Sequence, residues 1–385
     1  MKRITIATIA TLAGAGAAAA GGLDRSGQNI DILFEDGGIV ELSLGYVRPN
    51  VSGTDLALPL PSPPFPPGAA LPGGADSGDV ARNYWQAGLG YKLDLSERVS
   101  FALIADQPYG ADISYDTEAQ GGSRNLGGTR ATLDSTALTG LLRYKINDRF
   151  SVHGGLRVQQ FNGSVELGGL AYGGLNGYTT ELDADRAVGY QVGGAYEIPE
   201  IALRLSVTYF SEIEHDVEVE ENGVPSSDIE VTTPKAVNVN FQTGIATDTL
   251  LLASFRYADY GVTQVRPAFF SAATGGQSLT EIDKARDFSL GVGRRFSDAF
   301  SGAVSLNYSD RGVDDLVSPL APVDGRYGIT VSGVYNVSER VRLSGGINYS
   351  RIGDAQPETG TPDVARADFE SNDVVGLGLR IAYKF

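Results

Sequence analysis

The sequence predicts an all-β protein: a transmembrane antiparallel β-barrel of about 14 strands. Three observations predict it. The chain holds 50 glycines in 385 residues, roughly twice the usual share, which suits strands and tight turns and excludes a helical protein. Apolar residues recur with period two over long stretches. Short polar links alternate with long loops, the pattern of a barrel with tight turns on one side of a membrane and extended loops on the other. The mature chain has no run of about 18 apolar residues, so it does not cross a membrane with helices.

The N-terminus reads as an export signal. Met1-Lys2-Arg3 is basic, Ile4 to Ala13 is apolar, and Ala18-Ala19-Ala20 supplies small residues for a peptidase. Cleavage is expected after Ala20, and loss of Lys2 and Arg3 takes the net charge from −17 to −19. The expected division is residues 1–20 as signal peptide, 21–38 as the segment before the first strand and 39–385 as barrel.

In the strands that follow, the alternation is regular. Trp85, Ala87, Leu89, Tyr91 and Leu93 alternate with Gln86, Gly88, Gly90 and Lys92, and Val375, Leu377, Leu379, Ile381, Tyr383 and Phe385 close the chain in the same way. Short links fall at 94–97, 146–149, 199–200, 247–249, 297–299 and 338–340. Long links fall at 53–82, 117–133, 169–184, 221–228, 267–283, 314–323 and 355–367. The strands between them are expected near 39–51, 83–93, 98–116, 134–146, 150–167, 186–198, 201–219, 229–246, 250–266, 284–296, 300–313, 324–337, 341–354 and 369–385. Their length exceeds the five or six residues usual in soluble sheets. Aromatic residues such as Tyr46, Trp85, Tyr144, Phe150, Phe300, Tyr335 and Phe385 gather near the strand ends, where interfacial girdles form.

Composition excludes several functions. With 47 acidic against 30 basic residues, the chain repels phosphate backbones, so nucleic acid is not expected as a partner. It has no cysteine, which removes thiol catalysis and thiolate metal sites. His153 and His215 are its two histidines, and no Gly-x-Ser-x-Gly stands beside them, so neither an enzyme, nor a metal site, nor a cofactor is expected. If the apolar phase faces lipid, the opposite phase lines the lumen with Arg143, His153, Arg157, Gln191, Arg204, Asn238, Asn240, Arg295 and Arg380 among small residues. Those arginines either fill the barrel in pairs with carboxylates or meet an anionic ligand.

Two anomalies interrupt the pattern. Proline has no N–H for a ladder, so Gln107-Pro108-Tyr109-Gly110 inside the third strand marks a bulge or break in pairing. The loop 54–74 carries seven prolines and also Leu56, Leu58, Leu60, Phe65 and Leu71, too apolar for a solvated loop. It reads either as a landing surface for a hydrophobic molecule or as a lid packed on its neighbours.

Several stretches resemble the outer-membrane long-chain fatty-acid transporter family, the FadL-like barrels. They are Asp324-Gly325-Arg326-Tyr327-Gly328-Ile329-Thr330, Gly345-Gly346-Ile347-Asn348-Tyr349-Ser350-Arg351-Ile352-Gly353-Asp354, Phe369-Glu370-Ser371-Asn372 and the terminal Phe385. To these add Thr233-Pro234-Lys235-Ala236-Val237-Asn238-Val239, Phe255-Arg256-Tyr257-Ala258-Asp259-Tyr260 and Asp106-Gln107-Pro108-Tyr109-Gly110, where that family kinks its third strand. The resemblance implies a monomer in the Gram-negative outer membrane, a short N-terminal hatch in the lumen formed by residues 21–38, capture at the extracellular loops, an apolar lumen pocket and lateral release through the kink. The expected ligand is a long-chain fatty acid or another hydrophobic small molecule passed to outer-membrane lipid. The alternatives are a general diffusion porin and an aromatic-hydrocarbon uptake channel. Expected ligand-binding residues are Arg143, Arg157, Arg204, Arg295, Leu58, Leu60 and Phe65. The lateral gate is expected at Gln107, Pro108, Tyr109 and Gly110, and the hatch at Asp24, Arg25, Ser26, Gly27 and Gln28. The chain departs from the family in lacking the hatch's Asn-Pro-Ala segment.

Overall fold

The computed structural model describes residues 23–385 except 61, 63, 65, 283, 313–315 and 361–362. The expected signal peptide and Phe65 lie outside the described residues. Fourteen antiparallel strands close into one barrel. They are β1 (Ile39–Asn50), β2 (Tyr84–Asp94), β3 (Val99–Asp106), β4 (Arg130–Lys145), β5 (Phe150–Leu167), β6 (Tyr178–Ile198) and β7 (Leu203–Phe210), followed by β8 (Ala236–Ala246), β9 (Thr249–Asp259), β10 (Lys284–Arg295), β11 (Phe300–Ser309), β12 (Arg326–Asn336), β13 (Val341–Ile352) and β14 (Asp373–Lys384). Closure is made by β14 on β1, with Ile39 opposite Lys384 and Asn50 opposite Asp373. A closed ladder satisfies its backbone internally, which the hydrocarbon requires.

The apolar phase faces outward. Leu306 is 64% exposed and Leu379 68%, while their inward neighbours are serine, asparagine, glycine and arginine. The apolar interior therefore lies elsewhere, in two clusters. One joins Leu23, Ile30, Ile32, Leu33 and Phe34 of the N-terminal segment to Leu141, Tyr109 and Tyr260 inside the barrel. The other, built from Val51, Val80, Leu126, Phe161, Phe270 and Phe369, holds the long loops together.

Several strand ends differ from expectation. β4 and β6 start earlier, at Arg130 and Tyr178, because their loop ends continue as ladders above the bilayer. The seventh strand stops at Phe210, where the Ser211 hydroxyl oxygen accepts the Tyr190 N–H at 2.9 Å. Beyond it Ile213–Val217 pairs with Ile229–Thr233 as a separate hairpin. The ninth stops at Asp259, and the loop expected at 267–283 contains a helix, α1 (Ala268–Thr274). Pro267 before it, the alanines within it and Gly275 in the left-handed conformation (φ 72°) after it are helix signals.

Candidate functional site

The third strand is broken where its proline predicts. β3 ends at Asp106 opposite Ala137, and the chain rejoins β4 only over Gly110–Ser114, with Gly110 opposite Asp134. Between these points Ser135 bridges the gap, its Oγ accepting the Tyr109 N–H and donating to the Tyr109 carbonyl, both at 2.8 Å. On the other side the wall is open. Pairing of β2 with β3 stops at Leu89 opposite Ala105, and backbone contact resumes at Ala81 opposite Ile113. Across this window the Gln107 side-chain carbonyl accepts the Ala87 N–H at 3.0 Å.

The N-terminal segment pairs with the broken strand from inside. Arg25 N–H donates to the Pro108 carbonyl and Gly110 N–H to the Leu23 carbonyl, each at 2.8 Å. Residues 23–25 thus satisfy backbone groups that an intact ladder would have used. Ser26 donates to Asp106 at 2.5 Å, and the Gln28 amide to the Tyr109 hydroxyl at 3.2 Å. Gly110 leaves room for the Arg25 side chain, since a Cβ there would fall on its guanidinium. Gly27 and Gln28, with φ of 60° and 53°, then turn the segment down the lumen.

Charge pairs tie that segment to the wall at three levels. Asp24 accepts from Arg256 at 2.6 Å, Asp31 lies 3.4 Å from Arg204, and Glu35 takes Arg342 at 2.8 Å and Lys384 at 3.3 Å. Phe34 is held between the Arg143 and Arg204 guanidinium groups, each 4.6 Å from its ring.

The four arginines expected to meet a ligand occupy different settings. Arg143 pairs with Glu197 and Ser151, Arg204 with Asp31, and Arg295 with Asp248 at a short turn. Arg157 stands apart. It is 4% exposed, its nearest carboxylate is Asp106 at 3.5 Å, and its Nε and Nη2 have no hydrogen-bond acceptor among the described residues. Leu58 is buried in a small hairpin with Leu71, closed by Leu60 N–H on the Ala69 carbonyl at 2.8 Å, and Leu60 is half-buried.

Two cavities frame this arrangement. One of about 110 Å³ lies behind the window, bordered by Ser26, Glu41, Gly88, Asp106, Gln107 and Arg380. The other, about 420 Å³, lies among the long loops, where Leu167, Leu175, Phe270, Leu279 and Leu320 share the lining with Arg266, Glu281 and Glu358. Arg266 is exposed and makes no ion pair or hydrogen bond among the described residues. The larger cavity thus sits one level above a lumen whose own cavities are bordered by Asn238, Asn240, Ser254, Ser289 and Thr330. Tyr260 lines the groove and stands edge-on to Tyr109 at 6.2 Å, so two rings separate groove from strand break.

Arg256, Asp106, Tyr260 and Arg266 were absent from the expected site. Arg256 was legible, since it shares the inward phase of Ser254 on β9. Arg266 stands in a loop, where alternation has no meaning.

Comparison with known proteins agrees with this geometry. Residues 12–385 match the family described as outer membrane protein transport protein (OMPP1/FadL/TodX). Among solved structures, a Pseudomonas aeruginosa FadL homologue is similar at 16% identity and a TM-score of 0.69, covering 97% of this chain and 98% of that one. The Pseudomonas putida toluene transporter TodX is similar at 12% identity and a TM-score of 0.60, covering 95% and 96%. The Ralstonia pickettii toluene transporter TbuX gives 12% and 0.60, covering 95% and 97%. At such identities the likeness speaks to fold alone. No curated protein matches the chain. With its hatch and all fourteen strands inside the matched residues, the chain belongs to the outer membrane protein transport family (OMPP1/FadL/TodX), the barrels that carry hydrophobic molecules across the outer membrane.

Proposed function

We propose that this protein, acting as a monomer, takes up long-chain fatty acids by capture in the loop groove and lateral release through the window between β2 and β3. The observation that carries the reading is the unpaired stretch between Leu89/Ala105 and Ala81/Ile113, closed by the Gln107 side chain and backed by the hatch. A tail that leaves water gains about 0.8 kcal/mol per methylene. A chain of about 14 methylenes therefore gains on the order of 10 kcal/mol before ordering costs. Release into the periplasm would cost the same again, whereas sideways passage into the bilayer avoids it. Gln107, Pro108, Tyr109 and Gly110 form the gate in this reading, and residues 24–28 are the part of the hatch that moves.

The acid rather than a plain hydrocarbon is favoured by two cations on the path. Arg266 offers an unpaired charge at the groove, and Arg157 offers unused donors beside the break; a carboxylate leaving water needs such a partner. Arg143 and Arg204 instead steady Phe34 and the hatch. Aromatic hydrocarbons remain the second reading, supported by the toluene transporters among the similar structures and by the Tyr172, Tyr260 and Phe270 rings on the groove.

Arg157→Ala tests the choice of ligand. Uptake of a sixteen-carbon acid should fall about tenfold or more while that of its methyl ester is unchanged. Equal losses for both would give Arg157 a purely structural role.

A further inference from the structure

Outside the transport path, the outer face of the barrel carries cations at one defined level. Only alternate residues of a strand face lipid, so Tyr46 then Arg48 on β1, and Tyr349 then Arg351 on β13, are successive outward positions at the loop end. The residues below them on the same faces, Leu42 and Leu44 on β1 and Leu343 and Ile347 on β13, are apolar and exposed. The rings therefore sit at the membrane interface, and each guanidinium stands about 7 Å farther out, at headgroup level.

Both arginines are exposed, and neither makes an ion pair or hydrogen bond among the described residues. That is unexpected in a chain with 47 acidic against 30 basic residues. Asp373 is directly opposite Arg351 in the ladder and still does not pair with it. By contrast Arg286, above Phe288 on β10, is answered by Asp310 at 2.8 Å. The two free cations are also close to each other. Arg48 is opposite Val375 and Val375 opposite Tyr349, so Arg48 and Arg351 are two strands and two residues apart, about 12 Å between Cα atoms. Between and below them, Leu377 and Leu379 of β14 give an apolar strip, 43% and 68% exposed.

We propose that Arg48 and Arg351 form a binding site for an outer-leaflet lipid whose headgroup carries two phosphates, with its acyl chains lying on Leu377, Leu379 and Ile347. The planar guanidinium fork matches phosphate oxygens, and the spacing lets each arginine take one phosphate. In a chain of net charge −17 two adjacent free guanidinium groups give an anionic lipid a local attraction that the protein as a whole does not. The site adjoins the exit, since Tyr46 packs on Trp85 of β2, the strand that borders the window, at 4.8 Å.

Native mass spectrometry of the protein in micelles, titrated with bisphosphorylated lipid A or with lipid A stripped of both phosphates, tests the site. The wild type should bind the bisphosphorylated form at least tenfold tighter. The double variant Arg48→Ser/Arg351→Ser should bring the two lipids within twofold, while Arg294→Ser, an outward arginine at the opposite end, should keep the preference. Heat modifiability of each variant on a gel reports that the barrel has folded. A wild type that does not distinguish the two lipids, or a folded double variant that still does, would overturn the proposal.

Discussion

Arg256 of β9 holds Asp24 of the N-terminal segment, with Nε 2.6 Å from Oδ2, and the same guanidinium donates to Gln28 and to Asn238 at 3.2 and 2.8 Å. Asp24 is 2% exposed and Arg256 9%. One side chain of the wall thus fixes both the entry of the hatch and the turn that follows it.

Removing one partner of such a pair leaves a buried charge and costs about 3–5 kcal/mol. Asp24→Asn should therefore loosen the hatch without unfolding the barrel, whose ladder does not involve it. In planar bilayers the wild type should show little steady current and Asp24→Asn frequent open events. A silent variant would mean that the Arg204 and Arg342 pairs hold the segment alone.

Gly110→Ala acts on the hatch as well as on the strand. The added Cβ lands on the Arg25 guanidinium, which lies over the Tyr84 ring at 4.4 Å and near Asp134 at 3.6 Å, so Arg25 has to leave both. Proteolysis of the N-terminal segment should become at least several-fold faster while barrel heat modifiability is unchanged. An unaltered cleavage rate would show that Arg25 moves aside freely.

Glu221 sets a pH limit on the loop groove. Burial pushes its carboxyl up, but the Ser226 hydroxyl, the Phe269 and Phe270 N–H groups and the Tyr178 hydroxyl together hold it below the ordinary value of 4.5. A depressed carboxyl stabilises the fold fully above the unfolded value, and the gain is lost as pH falls through the folded value. Protection of the Phe269 and Phe270 amides should be steady from about pH 7 to 5 and fall below about pH 4. Glu221→Gln should lower it roughly tenfold between pH 7 and 5 and remove the fall below about pH 4. Protection that ignores both changes would remove Glu221 as the anchor of α1.

How much of this was legible depends on the range of the interaction. Alternation is local, so the fourteen strands and the inward position of Arg143, Arg157 and Arg204 could be read directly. The break at Pro108 was readable for the same reason, because a missing N–H is a property of one residue. α1 was passed over although Pro267 and Gly275 mark its ends, since seven residues inside a long glycine-rich link give no periodicity. Pairing of Leu23–Arg25 with Pro108–Gly110 has no local signature at all. It joins backbone groups far apart in the chain, and only the fold shows that the hatch supplies them.

The window itself can be shut. Continuing the register past Leu89 opposite Ala105 would place Ala87 opposite Gln107, and these residues already touch through the 3.0 Å Gln107–Ala87 hydrogen bond. The chain has no cysteine of its own, so Ala87→Cys/Gln107→Cys forms a single defined cross-link. The decisive measurement is uptake of a radiolabelled sixteen-carbon acid by cells carrying this variant, oxidised and then reduced. Lateral release predicts that uptake falls at least tenfold when the bond is closed, returns on reduction, and leaves binding to the purified protein unchanged throughout. Uptake at the wild-type rate with the cross-link intact would contradict it and send the ligand past the hatch instead.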